Sequence, residues 1–185
     1  MSTIPEFDET MTQTMSQKLA QTMAQTMATV LAERAIRQVG LRYCRGIDRQ
    51  DFDLVRSCYH ADATDDHGDF SGGVEAFIAY CQRELVRFES TTHFMGNALV
   101  ELTGTSSAVC ETYVMAIHRV PASRTKPIRD FVVGLRYGDR FECRDGDWRI
   151  AQRVCLFDWT RTDPVVPGWQ FPDSYRRGAM PDWRP

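Results

Sequence analysis

Three residues of this chain have types and positions suited to proton transfer: Tyr43, Asp48 and His93. A neutral imidazole, with a reference pKa of about 6.5, is the usual general base near neutral pH. A carboxylate hydrogen-bonded behind it fixes its tautomer and stabilises the imidazolium that forms. Asp48 falls at a helix end and His93 at the start of a later strand. Together they could take a proton from a carbon or hydroxyl of a bound molecule. Tyr43, one turn before Asp48, offers a phenol that can donate to a leaving group or a developing oxyanion. It reads equally well as a core tyrosine with its hydroxyl at a rim.

Strand alternation supplies the walls of such a site. Side chains two apart share a face, so His93 is grouped with Met95, Asn97 and Leu99, and Glu111 with Tyr113, Met115 and Ile117. Each set mixes large apolar side chains with an isolated polar group, as a pocket wall does. Met95, Asn97, Glu111, Tyr113 and Met115 are therefore the expected substrate contacts. The plainer reading of His93 and Glu111 is a core strand residue hydrogen-bonded to its neighbours. The run Asp65-Asp66-His67, with His60 nearby, is read as capping, turn and short strand. Adjacent strand carboxylates point to opposite faces and do not converge on a metal. The cysteines lack the histidine and orienting group of a thiol nucleophile, and neither a G-x-S-x-G elbow nor a phosphate-binding glycine loop is present. No metal or cofactor is expected.

These residues need elements to position them. Residues 1–27 repeat Thr, Gln, Met and Ser with little variety, and are expected to form an arm that is partly helical or disordered. From residue 28 the spacing of Val30, Leu31, Ala35, Ile36, Val39 and Tyr43 is helical, with Gly46 as the expected stop and Asp48 just beyond it. Asp51 is placed to cap a short helix carrying Leu54, Val55 and Cys58. Residues 63–66 read as a short strand. Ser71-Gly72-Gly73 reads as a turn and N-cap for a helix with Val74, Phe77, Ile78, Cys81 and Leu85 inward. After Glu89 the period becomes two, over 93–102, 108–120, 130–143 and 148–159, with a hairpin signal at Arg144-Asp145-Gly146-Asp147. Helices followed by long antiparallel strands make an α+β domain over 28–160, a curved sheet facing three helices around a cone-shaped cavity. The tail, 161–185, holds prolines with Trp169, Phe171, Tyr175 and Trp183. It is expected to pack on the body, on a neighbouring subunit, or as a lid.

Composition narrows the partners. Twenty-two Lys and Arg against 25 Asp and Glu give a net charge of -3, which offers no footprint for nucleic acid. No apolar run approaches the roughly 20 residues of a membrane span. Six scattered cysteines without a C-x-x-C pair suggest buried thiols in a reducing compartment, and a cytoplasmic protein is the expectation.

The residues quoted, with Tyr59-His60-Ala61-Asp62-Ala63, Thr92-His93, Glu111-Thr112-Tyr113, Tyr137-Gly138-Asp139-Arg140-Phe141-Glu142 and Gly146-Asp147-Trp148-Arg149-Ile150, resemble the SnoaL-like branch of the nuclear transport factor 2-like superfamily. That resemblance implies the cone fold. In dehydratase-like members an Asp after the first helix and a His on the sheet form a catalytic dyad, and these match Asp48 and His93. A tyrosine shortly before that Asp matches Tyr43. The further acidic residue on the sheet has Glu111 as a nearby candidate. The second histidine and fuller tyrosine set of scytalone dehydratase are not evident, which argues against that substrate. The resemblance implies a cofactor-independent lyase or isomerase acting on a small hydrophobic, cyclic substrate. The alternatives are a non-catalytic subunit related to the small subunits of ring-hydroxylating dioxygenases, or a ligand-binding module without turnover. A homodimer or homotrimer is the assembly implied.

Overall fold

The computed structural model describes residues 9–166 together with Gly168, Pro172 and Ser174. The aromatic tail considered as a lid lies outside the described residues. Helix α1 (Glu9–Arg49) is 41 residues long. Its first half carries Met15, Leu19, Met23 and Met27 in solvent, and burial begins at Ala32. From there Ile36, Val39, Tyr43 and Ile47 fall on one face and enter the core, as the helical period requires.

The helix does not stop at Gly46. It continues through Asp48 to Arg49 and is closed by Gln50, whose φ of 53° is left-handed. Asp51 N–H donates to the Gly46 carbonyl at 2.8 Å and Gln50 N–H to that of Ile47 at 3.1 Å, a Schellman closure. Gly46 serves packing instead. A Cβ there would lie 2.7 Å from Val55 Cγ2, so its absence lets the next helix, α2 (Phe52–Ser57), fold back against α1. Asp51 caps α2, accepting from Leu54 N–H at 3.1 Å.

Helix α3 (Val74–Leu85) buries the five apolar residues expected of it. The strands are β1 (Tyr59–Asp66), β2 (Ser71–Gly73), β3 (Ser90–Leu102), β4 (Ser107–Val120), β5 (Arg129–Arg144) and β6 (Asp147–Pro164). They form one mixed sheet in the order β2-β1-β6-β5-β4-β3, with β1 parallel to β6 and the other pairs antiparallel. Asp145 and Gly146, at φ of 54° and 83°, turn the β5–β6 hairpin, the sign that a two-residue primed turn needs. This is the α+β cone, with the helices packed on the concave face of the sheet. No helix among the described residues is long and apolar enough to cross a membrane.

The faces of the sheet correct the alternation reading. On β4 the buried, helix-facing set is Cys110, Thr112, Val114 and Ala116. Glu111, Tyr113 and Met115 lie on the opposite face and do not line the cavity. Both faces of β4 are apolar, so hydrophobicity alone could not choose between them. On β3 the register shifts between Met95 and Ala98, where two residues, Gly96 and Asn97, lie opposite one of β4, Tyr113, and such a bulge inverts the facing beyond it. His93 and Met95 stay inward, Asn97 falls in the bulge and is exposed, and Leu99 turns outward at 63% exposure. Met95 packs beneath α1 beside Gly40 rather than in the cavity.

Candidate active site

A cavity of about 230 Å³ lies between the end of α1, helix α3 and the concave sheet. Tyr43 and Ile47 line it from α1, Cys81 and Leu85 from α3, and Ala116, Val133 and Leu135 from the sheet, with Phe157 at its mouth. Into this apolar lining project three imidazoles, those of His93, His118 and His67.

Asp48, in the last turn of α1, meets His93 on β3. Its Oδ1 lies 2.7 Å from His93 Nδ1, and both carboxylate oxygens accept the His93 backbone N–H at 3.0 Å. One carboxylate thus holds both the strand and the ring. With Nδ1 occupied, Nε2 is the nitrogen left for a ligand. The side chains are 8% and 17% exposed for His93 and Asp48, so solvent screens the pair little.

His118 stands beside it on β4, its ring centroid 5.9 Å from that of His93. It stacks against Phe88 at 4.5 Å and Phe131 at 6.2 Å, and its Nδ1 lies 2.7 Å from Thr91 Oγ1. Burial among these rings, and next the proximity of His93, push its pKa down to about 4. Sequence reasoning missed His118 because it followed the wrong face of β4. Its parity with Thr112, Val114 and Ala116 was the available signal. A second histidine that no sequence motif marks thus lines the cavity beside His93.

His67, assigned to a turn, is the third. It follows β1, its N–H donates to the Phe70 carbonyl at 2.7 Å, and the adjacent Gly68 has a φ of 83°. Its Nδ1 lies 2.6 Å from Oδ1 of Asp65. Asp65 is wholly buried and its Oδ2 accepts the Tyr59 hydroxyl at 2.7 Å. The signal here was also parity, since Ala63, Asp65 and His67 alternate onto one face. Asp66 points the other way, its Oδ1 accepting Gly68 N–H at 3.1 Å.

Tyr43 is buried at the cavity floor in an aromatic cluster with Tyr59, Phe77 and Tyr137. Desolvation, reinforced by Tyr59 and Tyr137, raises its pKa well above the usual phenol value, so the group is a donor at any physiological pH. Behind it Arg153, 1% exposed, lies 4.1 Å from the Tyr43 ring and 4.0 Å from that of Tyr137. Arg153 forks onto Asp139, two bonds of 2.7 Å. Its Nη1 and the Tyr137 hydroxyl remain buried without partners. The cavity floor is thus apolar on a polar foundation, while Asp69, Tyr80, Glu84 and Arg87 add polar groups to the lining. The cysteines near it are inert, because burial drives the Cys44 and Cys81 thiols up to about 12.

Glu111 instead pairs outside with Arg136 at 3.0 Å, which also forks onto Asp158. Tyr113, Met115 and Asn97 are likewise remote from the cavity lining.

Several solved structures share this architecture. A provisionally assigned scytalone dehydratase from Novosphingobium aromaticivorans superposes with a TM-score of 0.66 at 21% identity, over 86% of this chain and 98% of that one. A hexachlorocyclohexane dehydrochlorinase of Novosphingobium barchaimii gives 0.68 at 15%, over 77% and 99%. A provisionally assigned aromatic ring hydroxylase of N. aromaticivorans gives 0.63 at 17%, over 72% and 94%. No curated protein sequence matches the chain. The SnoaL-like domain matches residues 28–154. With that match over most of its length and the nuclear transport factor 2-like cone around its cavity, the chain belongs to the SnoaL-like domain family.

Proposed function

We propose that the cavity catalyses a cofactor-independent elimination or isomerisation on a small hydrophobic, cyclic substrate. His93 is the base through Nε2, Asp48 orients it and stabilises its imidazolium, and Tyr43 donates to the developing oxyanion. The observation that carries this reading is the 2.7 Å contact between Asp48 Oδ1 and His93 Nδ1 at an apolar cavity. A base in such a site meets an acidic C–H with little competition from water. Two of the structural neighbours carry the names dehydratase and dehydrochlorinase, both eliminations, and a one- or two-ring compound suits the volume. Elimination from a cyclic β-hydroxyketone is the form we favour, since the carbonyl acidifies the α-hydrogen and gives Tyr43 an oxygen to polarise.

The test uses 3-hydroxy-1-tetralone, which becomes 1-naphthol on loss of water and is followed by fluorescence. Asp48→Asn and His93→Ala should each cut kcat/KM by about 10²–10⁴, with circular dichroism unchanged. Full activity in either variant overturns the assignment. The neighbour named as a ring hydroxylase keeps a second reading in play, a non-catalytic subunit of a dioxygenase. An open cavity lined by three histidines counts against it, because a scaffolding subunit has no need to leave that space unfilled.

A further inference from the structure

We propose that Asp65 and His67 form a second proton-transfer dyad, serving the same cavity as Asp48 and His93 from the opposite end of the curled sheet. The inference rests on the acid–base reading of the cavity given above. The two pairs are built alike. In each, a carboxylate oxygen binds Nδ1, at 2.6 Å for His67 and 2.7 Å for His93, which leaves Nε2 of each ring without a carboxylate partner, that of His67 having only the Cys155 thiol at 3.5 Å.

They come from opposite ends of the strand order. His93 sits on edge strand β3 and His67 at the end of β1, with β4, β5 and β6 between them. Only because the sheet curls around the cavity do both line it. His67 is held more firmly than a surface turn would need. Its backbone closes onto Phe70, its ring lies 5.0 Å from that of Phe77, and the Cys155 thiol is 3.3 Å from Nδ1 and 3.5 Å from Nε2. Asp65 is fully buried. Its other oxygen accepts the Tyr59 hydroxyl at 2.7 Å, so the carboxylate that holds His67 is itself fixed in place.

Two proton carriers on opposed walls suit an elimination that needs both a base and an acid. The α C–H bond breaks and its proton passes to His93 Nε2, while its electron pair forms the new C=C bond. The β C–O bond breaks as the hydroxyl oxygen takes a proton from protonated His67 and leaves as water. The cycle closes when His93 releases its proton to solvent and His67 regains one. His67 is then a catalytic residue, and Asp65 a positioning residue acting through it.

The leaving group separates this role from a structural one. A hydroxyl must be protonated to depart, whereas the chloride of 3-chloro-1-tetralone needs no acid and the same 1-naphthol forms. His67→Gln should slow water loss by about 100-fold and chloride loss far less, so that the ratio of the two kcat/KM values falls by at least about 30-fold. Asp65→Asn should move that ratio in the same direction. His93→Ala should depress both reactions and leave the ratio nearly unchanged. Equal effects of His67→Gln on both compounds, or none on water loss, overturn the second dyad while leaving the His93 assignment standing. A wild-type protein that turns over neither compound overturns the elimination reading itself and this inference with it. Imidazole ¹⁵N spectra with 1-naphthol give an independent check: both His67 and His93 resonances should shift, and a shift of His93 alone refutes the two-walled arrangement.

Discussion

His118 is neutral near pH 7 for a reason that also makes the protein acid-sensitive. Its pKa falls from the ordinary histidine value of 6.5 to about 4 in the folded chain, through burial and then repulsion from His93. The unfolded chain therefore binds the extra proton first, and between those two values stability rises with pH. The contribution is complete above about 6.5 and is lost as pH falls through 4. It amounts to at most about 3 kcal/mol. Urea titrations of wild type and His118→Gln across this window should show the wild type gaining on the variant as pH rises. Parallel curves would mean that the ring is solvated. At the same scale, Asp48 and His93 were legible because each stands where a period changes, at a helix end and a strand start. His118 and His67 were not, because what brings them to the cavity is the enclosure formed by distant elements.

At the scale of elements, the end of α1 decides where Asp48 points. The expectation of a stop at Gly46 followed from glycine's tolerance of left-handed backbone, but tight packing against Val55 claims that glycine and the helix runs on to Gln50. This carries Asp48 into the last turn, facing β3. A left-handed non-glycine residue is strained, so Gln50→Gly should stabilise the fold by about 0.5–1 kcal/mol without moving Asp48. Chemical denaturation measures the gain, and a loss would show that the Gln50 side chain has a stabilising contact. The bulge in β3 has a similar effect on the sheet. It gives the segment before it, with His93, to the cavity and inverts the segment after it. Since a bulge leaves no periodic mark of its own, Asn97 and Leu99 were assigned to the wrong surroundings.

For the molecule as a whole, the outward face of the sheet is as informative as the cavity. Phe94, Leu99, Tyr113 and Trp159 stand exposed there at 69%, 63%, 51% and 44%, around the paired charges of Arg136, Glu111 and Asp158. Exposed large apolar side chains of this kind, around charges already paired with one another, favour self-association. We expect the protein to be a homo-oligomer through this face. Light scattering coupled to size-exclusion chromatography should give a mass of two or three chains, and Tyr113→Glu with Trp159→Glu should return it to one. A monomeric wild type would show that the outer face stays bare in solution.

What the sequence determined by itself was the order and kind of the elements, through the switch from helical to alternating period at Glu89, the cap at Asp51 and the turn at Asp145-Gly146. It also supplied the candidacy of Tyr43, Asp48 and His93, because residue type and element ends are local properties. The tertiary structure decided which face of each strand is inside. Both faces are apolar, one packing on helices and the other facing outward, so alternation carried no sign, and the cavity expected around Glu111, Tyr113 and Met115 lies on the other face. It also decided that three histidines, one just after β1 and the others on β3 and β4, share one enclosure. That depends on the curl and closure of the sheet, which belong to the whole assembly of strands and to no single stretch of chain.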